Sequence, residues 1–120
     1  MTNKEIIKHL NNFRDMKVKE KESGIAKFSV KVGFIVQKNI QALEKAYEPY
    51  LASLNELRRK YNIKDDFAEN YPPEFYQDIE ELLNIDNEEM NLEVFSYSDL
   101  EKCKDLTLED QEVLFFLVQE

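Results

Sequence analysis

The sequence predicts a mainly α-helical fold: a long helical hairpin covered by C-terminal helices, with at most one short β element. Three observations predict it. Only 2 Gly and 3 Pro interrupt 120 residues, so regular elements should be long and tight turns few. Val36, Ile40, Leu43, Tyr47, Tyr50, Leu54, Leu57 and Tyr61 follow one another at alternating steps of four and three, an apolar and aromatic seam at heptad spacing. A Ser or Thr stands three residues before an acid at Thr2/Glu5, Ser98/Glu101 and Thr107/Asp110, the spacing of a helix-starting capping box.

The first helix is expected over residues 2–16, capped by Thr2, with Ile6, Leu10, Phe13 and Met16 on one stripe and Ile7 beside it. Residues 17–22 are charged and show little periodicity, which predicts the hairpin turn. Ser23 is the expected N-cap of a second helix reaching Tyr61. About 38 residues at 1.5 Å each give ~57 Å, whereas a compact chain of this length has a radius of gyration near ~14 Å. Such a helix must project from the body, break near Pro49, or pack against a partner or a second copy. Pro49 removes a backbone donor and crowds the Lys45 carbonyl. The heptad phase continues across it, so a bend is expected rather than a break. The start of this helix is apolar on several sides (Ile25, Phe28, Val32 and Ile35, with Val30 and Phe34), the pattern of a surrounded helix. Ala26, Ser29 and Gly33 form a small-residue strip suited to close approach of another helix.

Residues 62–71 read as a polar connection. Pro72 and Pro73 open a third helix, since proline suits the first helical turn, and its buried face carries Phe75, Ile79 and Leu82 with Tyr76 and Leu83. Residues 84–91 form an acidic loop and 92–97 have strand-like composition. A short helix capped by Ser98 follows, then a last one capped by Thr107. The block 113–118 has strand propensity, but the upstream cap and acidic first turn favour helix.

Eight Phe, six Tyr and an apolar share of 42% suffice for one packed domain over residues 1–120. Its charge is divided. Residues 1–64 hold 14 Lys/Arg against 7 Asp/Glu, a net of +7, and residues 65–120 hold 2 against 18, a net of −16. The domain therefore reads as a basic hairpin (1–61) followed by an acidic part (62–120). The acidic part repels nucleic acid and anionic lipid and attracts basic protein surfaces. No apolar run approaches the ~18 residues of a membrane span, and the N-terminus lacks a signal peptide's apolar core. With a single cysteine, Cys103, no internal disulfide forms. A cytoplasmic protein is expected, in the host cytoplasm if a phage encodes it.

No residue set here points to catalysis. His9, between Lys8 and Leu10, has the chemistry of a general base but reads as a surface histidine near the core edge. Cys103 lies between Lys102 and Lys104, which lowers a thiol pKa, yet no orienting group accompanies it. One His and one Cys cannot close a zinc site. Asp86, Asn87, Glu88 and Glu89 lack the alternating ligands and glycine of a calcium loop, and Asp65, Asp66 and Glu69 are weaker still. The only glycines, Gly24 and Gly33, lie in helical context, so no phosphate loop exists. No enzyme activity, metal or cofactor is expected. Lys17, Lys19, Lys21, Lys27 and Lys31 are basic, as are Arg58, Arg59 and Lys60, but the last three suit a helix C-terminus. Direct nucleic-acid binding is not expected.

The layout resembles that of short phage and prophage proteins of a family of unknown function. The stretches that carry the likeness are 40–47 with its Leu43 and Tyr47, Leu57-Arg58-Arg59-Lys60-Tyr61, the acidic helix 75–83, and Leu106-Thr107-Leu108-Glu109-Asp110. The resemblance covers most of the chain and implies a phage or mobile-element origin. It brings no catalytic residues.

These observations lead to a non-enzymatic interaction protein, a small structural or assembly factor. It would dock a protein partner, or a second copy as a homodimer, along the seam residues Tyr47, Tyr50, Leu54, Leu57 and Tyr61. The alternative is an acidic inhibitor of a host nucleic-acid-binding enzyme, such as an anti-CRISPR or anti-restriction factor. Its binding face would be Asp78, Glu80, Glu81, Asp86, Glu88 and Glu89. No membrane contact is expected in either case.

Overall fold

The computed structural model describes residues 1–63, 71–87 and 90–119. The expected helical hairpin is present. Helix α1 spans Asn3–Ser23 and α2 spans Val30–Lys60. They are followed by α3 (Pro73–Leu83), α4 (Tyr97–Glu101), α5 (Leu108–Leu114) and a 3₁₀ turn, Phe115–Leu117. No sheet forms among the described residues. The strand-like run 92–97 supplies only a single parallel bridge, Phe95 to Val118, held by Phe95 N–H donating to the Leu117 carbonyl and Gln119 N–H to that of Phe95. The block 113–118 is helical through Leu114 and then tightens into the 3₁₀ turn.

The hairpin turn lies later than the charge pattern suggests. Residues 17–22 are helical, because Lys and Glu are good helix formers and this stretch needs no buried face beyond Met16. α1 stops at Gly24, whose φ of 71° places it in the left-handed region, with its N–H donating to the Glu20 carbonyl at 3.0 Å. Ser23 is thus the last residue of α1, not the N-cap of α2. That cap is Ser29, whose hydroxyl accepts from Val32 N–H at 3.4 Å. Ala26 and Ser29 consequently lie outside the helix, and Gly33 sits beneath the chain's own Phe28 side chain, 3.5 Å from where a Cβ would stand. The small-residue strip is therefore not an open helix-docking track.

α2 runs unbroken through Pro49 for 31 residues, ~46 Å at 1.5 Å per residue. Its C-cap is Tyr61, and Asn62 beyond it turns left-handed with φ of 53°, a conformation asparagine tolerates. Lys17 Nζ donates to Gln37 Oε1 across the hairpin, which sets an antiparallel register. α2 is ten residues longer than α1, so ~15 Å of it runs past the start of α1. The molecule is accordingly elongated, 50 × 32 × 20 Å with a radius of gyration of 17.4 Å. We call this overhang, with the α3 that covers it, the distal arm.

The core joins both halves of the chain. Ile6, Leu10, Phe13 and Met16 of α1 meet Val32, Ile35, Val36, Ile40 and Leu43 of α2. Phe95, Leu100, Leu114 and Leu117 close over them. The start of α2 is not surrounded: Val30 is 93% and Phe34 63% exposed. Lys38 Nζ stands over the Phe34 ring, 5.5 Å from its centroid.

Part of the charge asymmetry is used within the fold. Ion pairs join the basic and acidic parts at Met1–Asp86, Lys19–Glu109, Lys27–Asp110, Lys31–Asp99, Lys38–Glu93 and Lys60–Asp78. Opposite charges on the two segments thus act as a clamp, strongest where water is excluded. The clamp has uncharged anchors as well. Asn39, 1% exposed, grips the backbone of Glu93. Asn3 donates to the Leu82 carbonyl at 2.8 Å and accepts from Asn87 at 2.9 Å. The short helix α4 begins at Ser96 with Asp99 in the box, two residues earlier than Ser98 with Glu101, because Asp99 is also the residue that meets Lys31.

Candidate functional site

The seam divides along its length. Val36, Ile40 and Leu43 belong to the core, and Tyr50 is also buried. Burial raises the Tyr50 phenol above its ordinary range, as does neighbouring Tyr47, whose ring stacks on it at 5.6 Å. Tyr47, Leu54, Leu57 and Tyr61 are half-buried. The seam is therefore no free edge along its whole length, and only its distal part borders solvent.

α3 covers that distal part. Pro73 at its first position fits the helix start, and Phe75, the buried anchor of α3, meets the Tyr61 ring edge-on at 5.8 Å. Asp78 fixes the register: it accepts from Tyr61 Oη at 2.6 Å and from Lys60 Nζ at 3.3 Å. These two bonds, the tyrosine's first, hold the Asp78 carboxyl below its ordinary pKa. They raise the Tyr61 phenol and the Lys60 ammonium above theirs. Further along, Asn3 N–H donates to the Ile85 carbonyl at 3.1 Å, and Asp86 accepts from the N-terminal ammonium at 2.6 Å.

The acidic residues expected to face a partner therefore have different employments. Asp78 and Asp86 are engaged within the chain. Glu80 and Glu81 of α3 are exposed. Glu88 and Glu89 lie outside the described residues, as do residues 64–70 of the polar connection.

Between α2 and α3 runs an open groove of about 340 Å³. Leu57, Leu82 and Ile85 give it an apolar floor, and Glu56, Lys60, Asp78 and Glu81 form its rim. It brings Leu57 of the seam against Asp78 and Glu81 of the acidic helix, so the two surfaces expected from separate parts of the sequence meet here. Sequence reasoning did not single out Glu56 or Ile85. Ile85 follows the helix end and is 51% exposed, a large apolar residue left uncovered in an otherwise acidic stretch.

Two other hollows have different character. One of about 500 Å³ lies at the hairpin turn, where Lys17, Glu20 and Lys21 border Ile25, Ala26 and Phe28. Another of about 470 Å³ lies beside Cys103, between Tyr97 and Phe115. Cys103 accepts from Ser29 N–H at 3.3 Å and thereby ties the chain just past α4 to the N-cap of α2. His9 lies flat on Phe116, ring centroids 3.7 Å apart and planes at 15°. Burial and then Lys8 lower its pKa, against an upward pull from Glu5. Both side chains have packing roles.

Among the described residues no three His, Cys, Asp or Glu side chains gather as a metal would require, and no helix is long and apolar enough to cross a membrane. Comparison of the chain with protein-family models, curated proteins and solved structures gives no match.

Proposed function

We propose that the protein is a non-enzymatic interaction factor of phage or mobile-element origin, acting in assembly, and that its distal arm is the docking end. The observation that carries this reading is the meeting of the half-buried seam and the acidic helix in one groove with an apolar floor. Interfaces have this composition: an apolar centre ringed by polar and charged groups. Asp78, Asp86, Glu93, Asp99, Glu109 and Asp110 are paired with the hairpin, whereas Glu80 and Glu81 stay exposed at the arm.

The test uses three baits in lysate of the organism that encodes the chain: the wild type, an arm variant (Glu80→Lys with Glu81→Lys), and a far-end variant (Val30→Asp with Phe34→Asp). A partner kept by the far-end variant and lost by the arm variant supports the reading. A partner lost only by the far-end variant overturns it.

A second reading has its own observation. Residues 65–101 contain no Lys, Arg or His, and exposed acids of this stretch such as Glu74, Glu80, Glu81 and Glu101 would suit a basic nucleic-acid channel. On this reading the protein is an anti-defence inhibitor. The captured partner is then a basic nuclease whose activity falls in the presence of the wild type and recovers with the arm variant.

A further inference from the structure

Resting on the arm as docking end, we propose that the groove between α2 and α3 takes a basic amphipathic helix of a partner protein. Its shape argues for a helix. The walls are two helices, and a third helix lying between them packs its apolar side chains at i, i+3, i+4 and i+7 onto the floor. The lining residues run from Ser53 to Lys60 on one wall and from Asp78 to Ile85 on the other, so the groove contacts about two turns of an occupant. Leu57 and Leu82 are half-buried and Ile85 is half-exposed, which leaves apolar surface that a leucine-type stripe would cover.

The charge of the rim argues for a basic occupant. Among the described residues that line it, the cation Lys60 is bonded to Asp78, and Glu56 is bonded to Arg59. Glu81 on the rim and Glu80 beside it remain as exposed negative charges. A second copy of the chain, itself at −9, is repelled at long range, whereas a lysine-rich helix is attracted and oriented. The floor then supplies the short-range affinity and the rim the selection by sign.

The probe is a synthetic peptide of about 14 residues with Leu at i, i+3, i+4 and i+7 and Lys between, beside a twin carrying Glu in place of Lys. Each is titrated into the whole protein while the methyl signals of Leu57, Leu82 and Ile85 are followed by NMR. The lysine peptide should bind one to one and shift these methyls. Its affinity should fall about tenfold between roughly 50 and 300 mM salt and at least tenfold in each of Ile85→Asp and Glu81→Lys. The glutamate twin should not bind. Both substituted side chains are exposed, so the variants fold.

Shifts that spread over the acidic surface and ignore both variants would overturn the proposal, since they mean attraction to net charge alone. Self-association that Ile85→Asp abolishes in sedimentation would also overturn it, by giving the groove to a second copy. Failure of the peptide while the arm variant still loses its captured partner overturns only the basic helix as occupant. Capture that ignores the arm variant overturns the reading beneath it.

Discussion

Asn39 and the backbone of Glu93 pair as two strand residues would: the Asn39 side-chain amide donates to the Glu93 carbonyl at 2.8 Å, and Glu93 N–H donates to Asn39 Oδ1 at 2.8 Å. One buried side chain on the hairpin thus satisfies both backbone groups of a residue in the covering segment. Asn39→Ala leaves a donor and an acceptor unpaired at a part-buried site, each costing about 1–3 kcal/mol. We expect a loss of about 2–4 kcal/mol in urea unfolding. Glu93→Ala keeps the backbone pair and loses only the half-exposed ion pair with Lys38, and should cost under about 1 kcal/mol. Equal costs for the two would contradict the role given to Asn39.

The hairpin and its covering helices were legible in the sequence because they rest on periodicity, and the Thr2 and Thr107 caps because their boxes stand alone. The turn was misplaced because residues 17–22 carry no buried face, and periodicity is silent about a helix that continues over solvent. Gly24 marked the true end, as a left-handed cap of the kind glycine adopts most readily. The cap of α4 was expected at Ser98 and lies at Ser96, whose spacing to Asp99 is the same, and Asp99 also meets Lys31. The same holds for the site. Asp78, Glu80 and Glu81 look alike in sequence, yet one anchors α3 on Tyr61 while the others face water. Charge composition cannot tell an internal clamp from an outward face.

His9 makes stability depend on pH near neutrality. Its folded pKa lies below the ordinary value, chiefly through burial against its surroundings. On acidification the unfolded chain therefore takes up the proton first. The contribution is fully present above the unfolded pKa, near ~6.5, and declines as pH falls through that value toward the folded one. Unfolding free energy should drop between about pH 7.5 and 5.5, and His9→Gln should flatten this slope. A slope that persists in His9→Gln would assign it to another group.

Asp110 and Glu109 are neighbours with different worth. Asp110 completes the Thr107 capping box and meets Lys27 at 3.0 Å, with the two side chains 7% and 15% exposed. Burial pushes its carboxyl up, but the Thr107 N–H and Lys27 outweigh this and hold it below its ordinary pKa. Its contribution is thus present above the ordinary carboxylate range and lost as pH falls through the folded value. Asp110→Ala also strands the Lys27 ammonium, and should cost about 3 kcal/mol or more. Glu109→Ala removes an exposed pair with Lys19 and should cost under about 1 kcal/mol. A double-mutant cycle with Lys27 and Lys19 measures both couplings; similar values would refute the distinction.

Pro49 interrupts the hydrogen-bond ladder of α2 at an exposed position without ending the helix. Pro49→Ala restores the donor to the Lys45 carbonyl and removes the ring's clash, and should stabilise the chain by about 1–3 kcal/mol. A loss of stability would show that the arm's packing on α3 depends on the proline.

The central claim, that proteins dock on the distal arm, is tested most directly by photo-crosslinking from single positions in the intact chain. A benzophenone side chain replaces Ser53, which lines the groove without carrying a charge the partner is proposed to read, or the exposed Lys45 on α2, or the exposed Arg14 on α1. The account predicts a discrete adduct with another protein from position 53 and none from 45 or 14. Adducts from 45 or 14 with none from 53 would contradict it.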